Sequence, residues 1–508
     1  MNKWNTMKLT VVLGALALSL TGCFDSNNDS DSTSGGMDHS KMGQSSKDSN
    51  NELSAKRTTE VDTLNGKEFT LTAQTSNLEI SSGVILPVWT FNNSVPGPQI
   101  RVKQGDQVNI TLKNELPEPV TIHWHGVPVP NAMDGIPGVT QNAVQPGQSF
   151  VYEFKADVPG TYWYHSHQDG VNQVDKGLYG SFVVESKEDN VDRDYTLVLD
   201  EWMSSGSSDM DMSSSEDHDM AMMYDVFTIN GKTGSAVEKL IVKKDEKVRI
   251  RLVNAGFMSH NIHLHGHEFR VTATDGQPIN NPTLVKEQLV AIAPGERYDI
   301  EFVADKPGQW ILEDHGSDAP VKGMKTVIEY DGADAGEDQP NESTALSVLD
   351  MSRYGQAGQS KFTLDQTYDL AYIMNLGTEQ RVGKQVYTIN EKTYPDTEKL
   401  EVKEGDMVKV RMVNNSETDD HPMHLHGHFF QVLSKDGKPL EGSPLMKDTL
   451  NVKPGEEYVV AFEADNPGDW MFHCHDLHHA TAGMVTHLMY TDFKTDFVAD
   501  QKAGNKPE

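Results

Sequence analysis

The stretch QPGQSFVYEFKADVPGTYWYHSH, residues 145–167, decides the fold because the chain contains it three times. The second copy is APGERYDIEFVADKPGQWILEDH at 293–315, and the third is KPGEEYVVAFEADNPGDWMFHCH at 453–475. Each copy has two Pro-Gly turns around a run in which apolar and polar residues alternate. Such alternation is typical of short antiparallel strands with one buried face. The sequence therefore predicts three related all-β domains.

The similarity continues upstream of each copy. The segments 100–114, 240–254 and 400–414 match one another, and each is followed by His-x-His-Gly. Units of this size and pattern suit Greek-key β-sandwiches. The predicted organisation is a signal peptide at 1–22, a Ser- and Asp-rich tether at 23–60, domain 1 at 61–188, domain 2 at 189–335 with a Met-rich loop at 203–223, a linker at 336–365, domain 3 at 366–495 and a tail at 496–508.

Composition limits the possible partners. The 508 residues include 43 basic and 76 acidic ones, which gives a net charge of −33. A protein that binds polyanions needs the opposite sign, so nucleic acid is a poor partner, whereas cations are attracted. There are two cysteines, Cys23 and Cys474, and only Cys474 lies in the repeated body.

The N-terminus has the features of an export signal. Lys3 and Lys8 precede a short apolar run, and Leu20-Thr21-Gly22-Cys23 resembles a bacterial lipobox, in which Cys23 would carry lipid. The alternative is an ordinary cleaved signal with a chance cysteine. We predict an exported bacterial lipoprotein, anchored to the membrane through Cys23 and facing the periplasm, with residues 24–60 as a flexible spacer.

Histidines occur in four clusters with metal-ligand spacing. A His-x-His on a strand places both imidazoles on one face, and imidazole suits copper or zinc. Facing pairs from different sheets could therefore bind several metal ions. The clusters are His123 and His125, then His165 and His167, then His421, His424 and His426, and finally His473 and His475 around Cys474.

The fourth cluster contains a second ligand set. Cys474 points away from its two neighbouring histidines, so it can join another metal with His421 and His479. Two His, one Cys and a weak Met, here Met484, form the ligand set of a blue-copper site. Structural zinc is the alternative, but such sites are usually richer in Cys and do not explain Met484.

These motifs resemble the signature of the multicopper oxidases, in particular the laccase-like and copper-resistance branches with three cupredoxin-like domains. The resemblance implies four copper ions, one-electron oxidation of a substrate, reduction of O₂ to water and a site completed within one chain, hence a monomer. It also implies the ligands: His421, Cys474, His479 and Met484 for type 1 copper, His123 and His424 for type 2, and His125, His165 and His475 with His167, His426 and His473 for the type 3 pair.

Domain 2 departs from this pattern. When the second and third copies are aligned, Glu313, Asp314, His315 and Ala319 occupy the places of His473, Cys474, His475 and His479. We therefore predict that domain 2 has no copper centre of its own. His260, His263 and His265 match the third cluster, and we interpret them as a remnant, with a weak additional metal site as the alternative.

Reduction of O₂ consumes protons, so an acid near the cluster is expected. The resemblance gives this role to Asp134, although a simple Asp-Gly turn explains the same residue. Many bacterial relatives have a Glu directly after the second type 1 His, but Ala480 stands there in this chain. Asp134 is therefore the one proton donor that the sequence suggests.

The Met-rich loop suggests a substrate. Thioethers select Cu(I), and the motif Met37–Met42 repeats the theme in the tether. We predict oxidation of Cu(I) in copper tolerance, with oxidation of phenols or aromatic amines as one alternative and a copper-buffering lipoprotein as another. The predicted Cu(I)-capturing residues are Met203, Met210, Met212, Met220, Met222 and Met223.

Overall fold

A computed structural model describes residues 56–204, 223–316, 323–332 and 346–507. The predicted signal peptide, Cys23, Met37–Met42 and almost all of the tether lie outside these residues. The described chain forms three successive β-sandwiches joined by short connections, with two short α-helices. The all-β prediction is confirmed. In the part of the chain described here, no helix is long and apolar enough to cross a membrane.

Domain 1 packs a four-stranded sheet, in the order β3-β2-β5-β7, against a five-stranded sheet, in the order β1-β4-β9-β8-β6. Helix α1 (Gly170–Asp175) and a 3₁₀ turn (Asn131–Met133) connect strands at the edge. The strands are β1 (Thr63–Asn65), β2 (Glu68–Ser81), β3 (Val84–Phe91), β4 (Gly97–Lys103), β5 (Asp106–Asn114), β6 (His123–His125), β7 (Ser149–Ala156), β8 (Gly160–His165) and β9 (Tyr179–Glu185).

Domain 2 has two six-stranded sheets, β11-β10-β13-β18-β15-β16 and β12-β20-β19-β14-β17-β21. A 3₁₀ turn covers Gly234–Ala236. The strands are β10 (Arg193–Trp202), β11 (Val226–Ile229), β12 (Leu240–Val242), β13 (Lys247–Asn254), β14 (His260–Leu264), β15 (Phe269–Thr274), β16 (Gln277–Pro278), β17 (Gln288–Ile292), β18 (Arg297–Val303), β19 (Gln309–Asp314), β20 (Lys325–Tyr330) and β21 (Ser347–Val348).

Domain 3 repeats this plan with the sheets β23-β22-β25-β31-β27-β28, to which β29 adds, and β24-β33-β32-β26-β30. Helix α2 (Leu477–Thr481) follows β32. The strands are β22 (Leu370–Arg381), β23 (Lys384–Ile389), β24 (Leu400–Val402), β25 (Met407–Asn414), β26 (His421–Leu425), β27 (Phe430–Lys435), β28 (Lys438–Pro439), β29 (Leu445–Lys447), β30 (Thr449–Val452), β31 (Glu457–Glu463), β32 (Asp469–Cys474) and β33 (Val485–Tyr490).

The repeated segments form the same strand in each sandwich. β5, β13 and β25 each direct alternate apolar side chains into a core, where they are fully buried. The residues between them are partly exposed, except Arg251 of β13, which is buried in an ion pair with Asp194. This is how a period of two produces one buried face. The buried side chains are Val108, Ile110 and Leu112 in domain 1, Val248, Ile250 and Leu252 in domain 2, and Val408, Val410 and Met412 in domain 3.

The three domains pack closely on one another. The apolar cores of domains 2 and 3 form one continuous cluster, while domain 1 has its own core. A third cluster joins domains 1 and 2 and contains Trp163 and Trp202. Phe362 from the predicted linker is also buried against domain 3. These contacts hold domain 1 and domain 3 in the relative position on which the histidine site depends.

Candidate metal centre

Eight histidines meet where domain 1 faces domain 3. In domain 1, β6 pairs with β8 so that His123 lies opposite His165. In domain 3, β26 pairs with β32 so that His424 lies opposite His473. Each His-x-His motif presents both rings to the other domain because alternate residues of a strand share a face. All eight of the predicted cluster histidines are at most 3% exposed: His123, His125, His165, His167, His424, His426, His473 and His475.

Rings from the two domains interleave. His123 stacks on His426 with ring centroids 3.9 Å apart, and His125 stacks on His424 at 3.7 Å. The Nε2 atoms of His426 and His473 are 3.0 Å apart, and His167 lies within ligand distance of the same pair. His475 lies 4.7 Å from His125 and 5.4 Å from His165, measured between ring centroids. The site therefore needs both domains.

The donor atoms fit metal binding. His123 and His424 each donate Nδ1–H to a backbone carbonyl, at 2.9 and 3.0 Å, and in both rings Nε2 has no hydrogen-bond partner. Nε2 of His165, Nδ1 of His125 and both ring nitrogens of His475 also have no hydrogen-bond partner. Buried nitrogens without partners are costly unless something binds them. A group of metal ions at this position would satisfy them.

The protonation of the cluster also suits metal ions. Burial, together with repulsion from neighbouring imidazoles, lowers the pKa of His125, His165, His426, His473 and His475 well below the usual range. At neutral pH these rings are therefore neutral and have a lone pair to offer. Neutral imidazole is the form that binds metals.

Cys474 belongs to a second, adjacent site inside domain 3. Its Sγ lies 3.4 Å from Nδ1 of His479 and 3.9 Å from Nδ1 of His421, and those two nitrogens are 3.1 Å apart. Met484 is fully buried next to this set, and its carbonyl accepts the amide of Cys474. Burial raises the pKa of the Cys474 thiol to about 11, so a bound cation is needed to hold the thiolate.

Asp134 contacts the histidine cluster directly. Its Oδ2 lies 3.0 Å from Nδ1 of His426, and its Oδ1 lies 3.1 Å from Nδ1 of His123. It also forms the predicted turn, because Gly135 has a φ of 83° and a Cβ there would collide with the carbonyl of Ile122. The turn and the contact with the cluster therefore coexist, and this one carboxylate orients a ring from each domain.

The sequence analysis missed a set of residues that support the rings. Thr449 Oγ1 lies 3.0 Å from Nε2 of His125 and 3.1 Å from Nδ1 of His424. Its neighbour Asp448 forms a buried two-pronged ion pair with Arg297 of domain 2, with N–O distances of 2.6 and 2.7 Å. Burial alone would raise the pKa of Asp448, but Arg297 holds it well below the usual range. The sequence does contain one indication of Asp448 and Thr449. The second copy, which lacks the copper ligands, has Gln288 and Leu289 at the aligned positions.

Domain 2 also closes the cluster with a glycine turn. Gly295 has a φ of 81°, and a Cβ there would lie 2.8 Å from the ring of His475 and 3.1 Å from that of His125. The C-terminal segment contributes from the other side, where the carbonyl of Pro507 accepts Nδ1–H of His167 at 2.6 Å. Domain 2 and the C-terminal segment therefore enclose the rings that domains 1 and 3 contribute.

The three domain 2 histidines do not form one group, which corrects the sequence-based grouping. His260 is bound between two carboxylates, with Nδ1 3.0 Å from Asp314 and Nε2 2.5 Å from Glu201. Burial lowers its pKa, but the two carboxylates outweigh burial and raise it to about 10. His263 and His265 instead lie beside His315. A carboxylate at the position of Cys474 has thus converted a ligand histidine into an ion-pair partner.

A small cavity of about 30 Å³ adjoins the cluster and is lined by His475, His478, Asp175, Asp200 and Tyr224, among others. Tyr224 donates its hydroxyl to Asp175 at 2.5 Å, and burial raises the pKa of Asp175 to about 7. The space is large enough for a water molecule. The cavity therefore places the buried carboxyl groups of Asp175 and Asp200 close to His475, although Ala480 stands where many bacterial relatives have a Glu.

The Met-rich loop connects β10 to β11, which are paired up to Trp202 and Val226. Met203 is only 4% exposed and packs in the hydrophobic core, which removes it from the predicted Cu(I)-capturing set. Met223 is partly buried against the same core. The remaining four, Met210, Met212, Met220 and Met222, lie outside the described residues.

Comparison with known proteins is consistent with this geometry. Sequence models described as multicopper oxidase match residues 72–189, 193–333 and 360–494. The chain therefore belongs to the multicopper oxidase family, oxidoreductases that use O₂ and hold copper. The prediction of family and enzyme class is confirmed.

Two relatives and one solved structure illustrate the similarity. The multicopper oxidase MmcO of Mycobacterium tuberculosis is 32% identical over 462 residues, covering 83% of this chain and 86% of the relative. A copper resistance protein A homolog of Pseudomonas syringae is 23% identical and covers 83% and 92%. The crystal structure of a multicopper oxidase from Pseudomonas thermotolerans has a TM-score of 0.65 at 27% identity, covering 85% and 100%.

Proposed function

We propose that this multicopper oxidase oxidises Cu(I) at the Cys474 site and reduces O₂ at the histidine cluster, using four copper ions and acting in copper tolerance. The ligands are the ones that the resemblance assigned, with type 1 copper at His421, Cys474, His479 and Met484. We also propose that the protein is exported and anchored through lipid on Cys23. When bound, copper supplies the one-electron oxidation at the first site and the reduction of O₂ at the second.

The chain itself supplies the connection between the sites. Cys474, the last residue of β32, points into one site, while His473 before it and His475 directly after the strand point into the other. Cys474 of one site is therefore joined by a peptide bond to His473 and to His475 of the other. The side chains of both sites are buried, so bulk water does not compete with them as a ligand.

The observation that carries the choice of Cu(I) is the position of the base of the Met-rich loop. Tyr224, at its C-terminal end, stacks on Phe257 with ring centroids 5.5 Å apart, and Phe257 meets the ring of His478 edge-on at 4.6 Å. His478 precedes His479 on α2. Ser204 at the other end donates its amide to Asp225 at 2.7 Å, which holds the two ends together. The loop thus starts and ends close to the helix that carries a type 1 ligand.

A loop rich in soft thioethers, with its ends anchored here, favours a soft cation as substrate. The net charge of −33 also raises the local concentration of cations. Neither feature helps a neutral phenol. The copper resistance protein named above is consistent with this substrate, while MmcO is named only as an oxidase.

Replacing Met210, Met212, Met220 and Met222 by Leu tests the substrate because this removes sulfur and keeps apolar volume. We expect kcat/KM for Cu(I) to fall at least about tenfold, mainly through KM, which corresponds to about 1.4 kcal/mol. Oxidation of a small phenol should not change. The matched control replaces Ser205, Ser207, Ser208 and Ser213 of the same loop by Ala and should leave both substrates unaffected.

Two outcomes would argue against Cu(I). Equal losses for both substrates at full copper content would mean that the loop supports the fold of the site. No loss for either would leave phenol oxidation as the better proposal. The ratio of the two activities is the readout, so a fraction of misfolded protein does not affect the result.

Asp134 is retained as a proton donor within this proposal. Asp134→Asn preserves the shape of the side chain but cannot deliver a proton. We expect turnover to fall about 10²–10⁴-fold, the range for loss of a general acid, with copper content preserved. A loss of copper in the variant would instead assign Asp134 to orienting His123 and His426 alone.

A further inference from the structure

A separate group of histidines lies close together in domain 2. His263 and His265 are on β14, and His315 directly follows β19. Ring centroids are 4.3 Å apart for His263 and His265, 5.0 Å for His263 and His315, and 5.3 Å for His265 and His315. One nitrogen from each ring falls within 4.8 Å of the other two. No cluster residue of domain 1 or domain 3 takes part.

A carboxylate completes the group. Glu313 Oε1 lies 3.0 Å from Nε2 of His265 and 3.4 Å from Nε2 of His315, and those two nitrogens are 3.2 Å apart. Ligands about 2.0–2.1 Å from a tetrahedral ion are separated from one another by about 3.3 Å. The three measured separations are therefore compatible with adjacent ligands around one ion.

The strand register explains why the group forms. β14 pairs with β19 so that His263 lies opposite Glu313, just as His424 lies opposite His473 in domain 3. The scaffold that brings ligands together in domain 3 is thus present in domain 2. In domain 2 the three rings and the Glu313 carboxylate lie beside one another within a single domain.

A simple cluster of hydrogen-bonded histidines does not account for the arrangement. His263 is 2% exposed, and neither of its ring nitrogens has a hydrogen-bond partner. A buried ring nitrogen without a hydrogen-bond partner has lost its contact with water and gained nothing in return, so an unidentified ligand is indicated. Glu287 Oε2 is the nearest carboxylate to it, at 3.7 Å, which is too long for a hydrogen bond.

We propose that His263, His265, Glu313 and His315 bind one divalent transition-metal ion, Cu(II) or Zn(II), in addition to the ions of the oxidase centre. Three imidazoles and a carboxylate suit both ions, and the Irving–Williams order places Cu(II) ahead at equal availability. The His315 side chain is 33% exposed, so the ion exchanges with solvent, unlike ions at the buried cluster. The proposal does not depend on the substrate of the oxidase.

Metal content measures the site directly. Copper-loaded protein is dialysed against micromolar ZnCl₂, and zinc and copper per chain are determined by mass spectrometry. We expect one zinc per chain, and none in His263→Ala or His315→Ala, with copper content and oxidase turnover unchanged. His487→Gln is the matched control, because this histidine lies on the corresponding sheet of domain 3, pairs with Asp469 and should leave zinc binding intact.

Thermal unfolding gives an independent reading. An ion that binds only the folded state raises the melting temperature. Zinc should therefore stabilise the unmodified protein and the control, but neither of the two His→Ala variants. His315 is partly exposed, so replacing it should preserve the fold. The His315→Ala variant therefore tests the site even if His263→Ala does not fold. Zinc binding that survives in both variants, or no zinc binding by the unmodified protein, would overturn the proposal.

Discussion

Domains 2 and 3 use the same strands for opposite purposes. In domain 3, β26 and β32 bring His421 to Cys474, whereas in domain 2 the equivalent strands β14 and β19 bring His260 to Asp314. The backbone register is the same in both. One change from thiol to carboxylate, together with Glu201 from β10, gives a buried ion pair where domain 3 has the proposed type 1 ligand set. The fold supplies positions, and the side chain at one position decides the chemistry.

Other positions have kept the same role in both domains. His267 contacts the hydroxyl of Tyr330 at 2.7 Å, and His428 contacts that of Tyr490 at 2.8 Å. These histidines stand two residues after each His-x-His motif and stabilise the sandwich. The comparison therefore separates histidines that hold the fold from those that serve the site.

The largest expected effect comes from making domain 3 resemble domain 2. Cys474→Asp removes the soft thiolate, so the blue absorption should vanish and turnover fall about 10³-fold or more, while the eight cluster histidines remain. Absorption spectra and O₂ uptake measure this. The reverse change, Asp314→Cys, should not create a blue site, because Ala319 stands where His479 would be needed. A blue Asp314→Cys protein would contradict the comparison.

The second prediction concerns how domain 2 supports a site to which it gives no ligand. Arg297→Met leaves Asp448 buried without its partner, which should lower the free energy of unfolding by about 3–5 kcal/mol. Urea unfolding of the copper-loaded protein measures it. Arg353→Met is the control, since its ion pair with Glu441 is exposed and worth at most about 1 kcal/mol. Equal effects would mean that the buried pair has no special role.

The third prediction uses pH. The carboxylates of Glu201 and Asp314 raise the pKa of His260 to about 10 in the folded protein, against 6.5 for an unperturbed group. The stabilisation from protonated His260 is therefore complete below about pH 6.5 and lost as pH rises through about 10. At pH 6, His260→Gln should cost about 1.5–3 kcal/mol, the range for hydrogen bonds to charged groups.

Unfolding measured from pH 6 to pH 10 checks this expectation. The difference between His260→Gln and the unmodified protein should shrink steadily over that interval. Glu201→Gln removes one of the two carboxylates and should shift the decline to lower pH. A difference independent of pH would mean that His260 is neutral in the folded state.

The smallest effects should be equal in the two domains. Tyr330→Phe and Tyr490→Phe each remove the hydroxyl that contacts His267 or His428, and each should cost about 1 kcal/mol per hydrogen bond lost. Metal content and turnover should stay the same. Unfolding of the two variants in parallel measures it, and a large loss of copper in Tyr490→Phe alone would show that the two histidines are not equivalent.

Much of the architecture could be predicted because it is local. The repeats and their alternation gave the strands, and His-x-His gave the ring directions, since both depend on neighbouring residues. Thr449, Asp448 and Arg297 have no such local pattern, and comparison of the copies distinguishes only the first two. They come from different domains and meet only in the folded chain, and a single Thr or Arg has no spacing pattern to mark it.

Burial could not be predicted from composition either. Met203 belongs by sequence to a polar, Met-rich loop, yet it continues the apolar face of β10 into the core. His315 was recognised only as the counterpart of His475. Its proximity to His263 depends on the pairing of β14 with β19, which sequence spacing does not specify.

The turn at Gly295 and Arg297 has a consequence for how the protein matures. It closes over rings at His125 and His475, and His125 in turn contacts Thr449, 324 positions away in the chain. Contacts of such long range form late in folding, after the domains that carry them. The cluster is therefore assembled only once all three domains have docked. With the copper sites proposed above, uptake of copper by the cluster would follow docking of the domains, and occupancy of the cluster would report that the whole chain has folded.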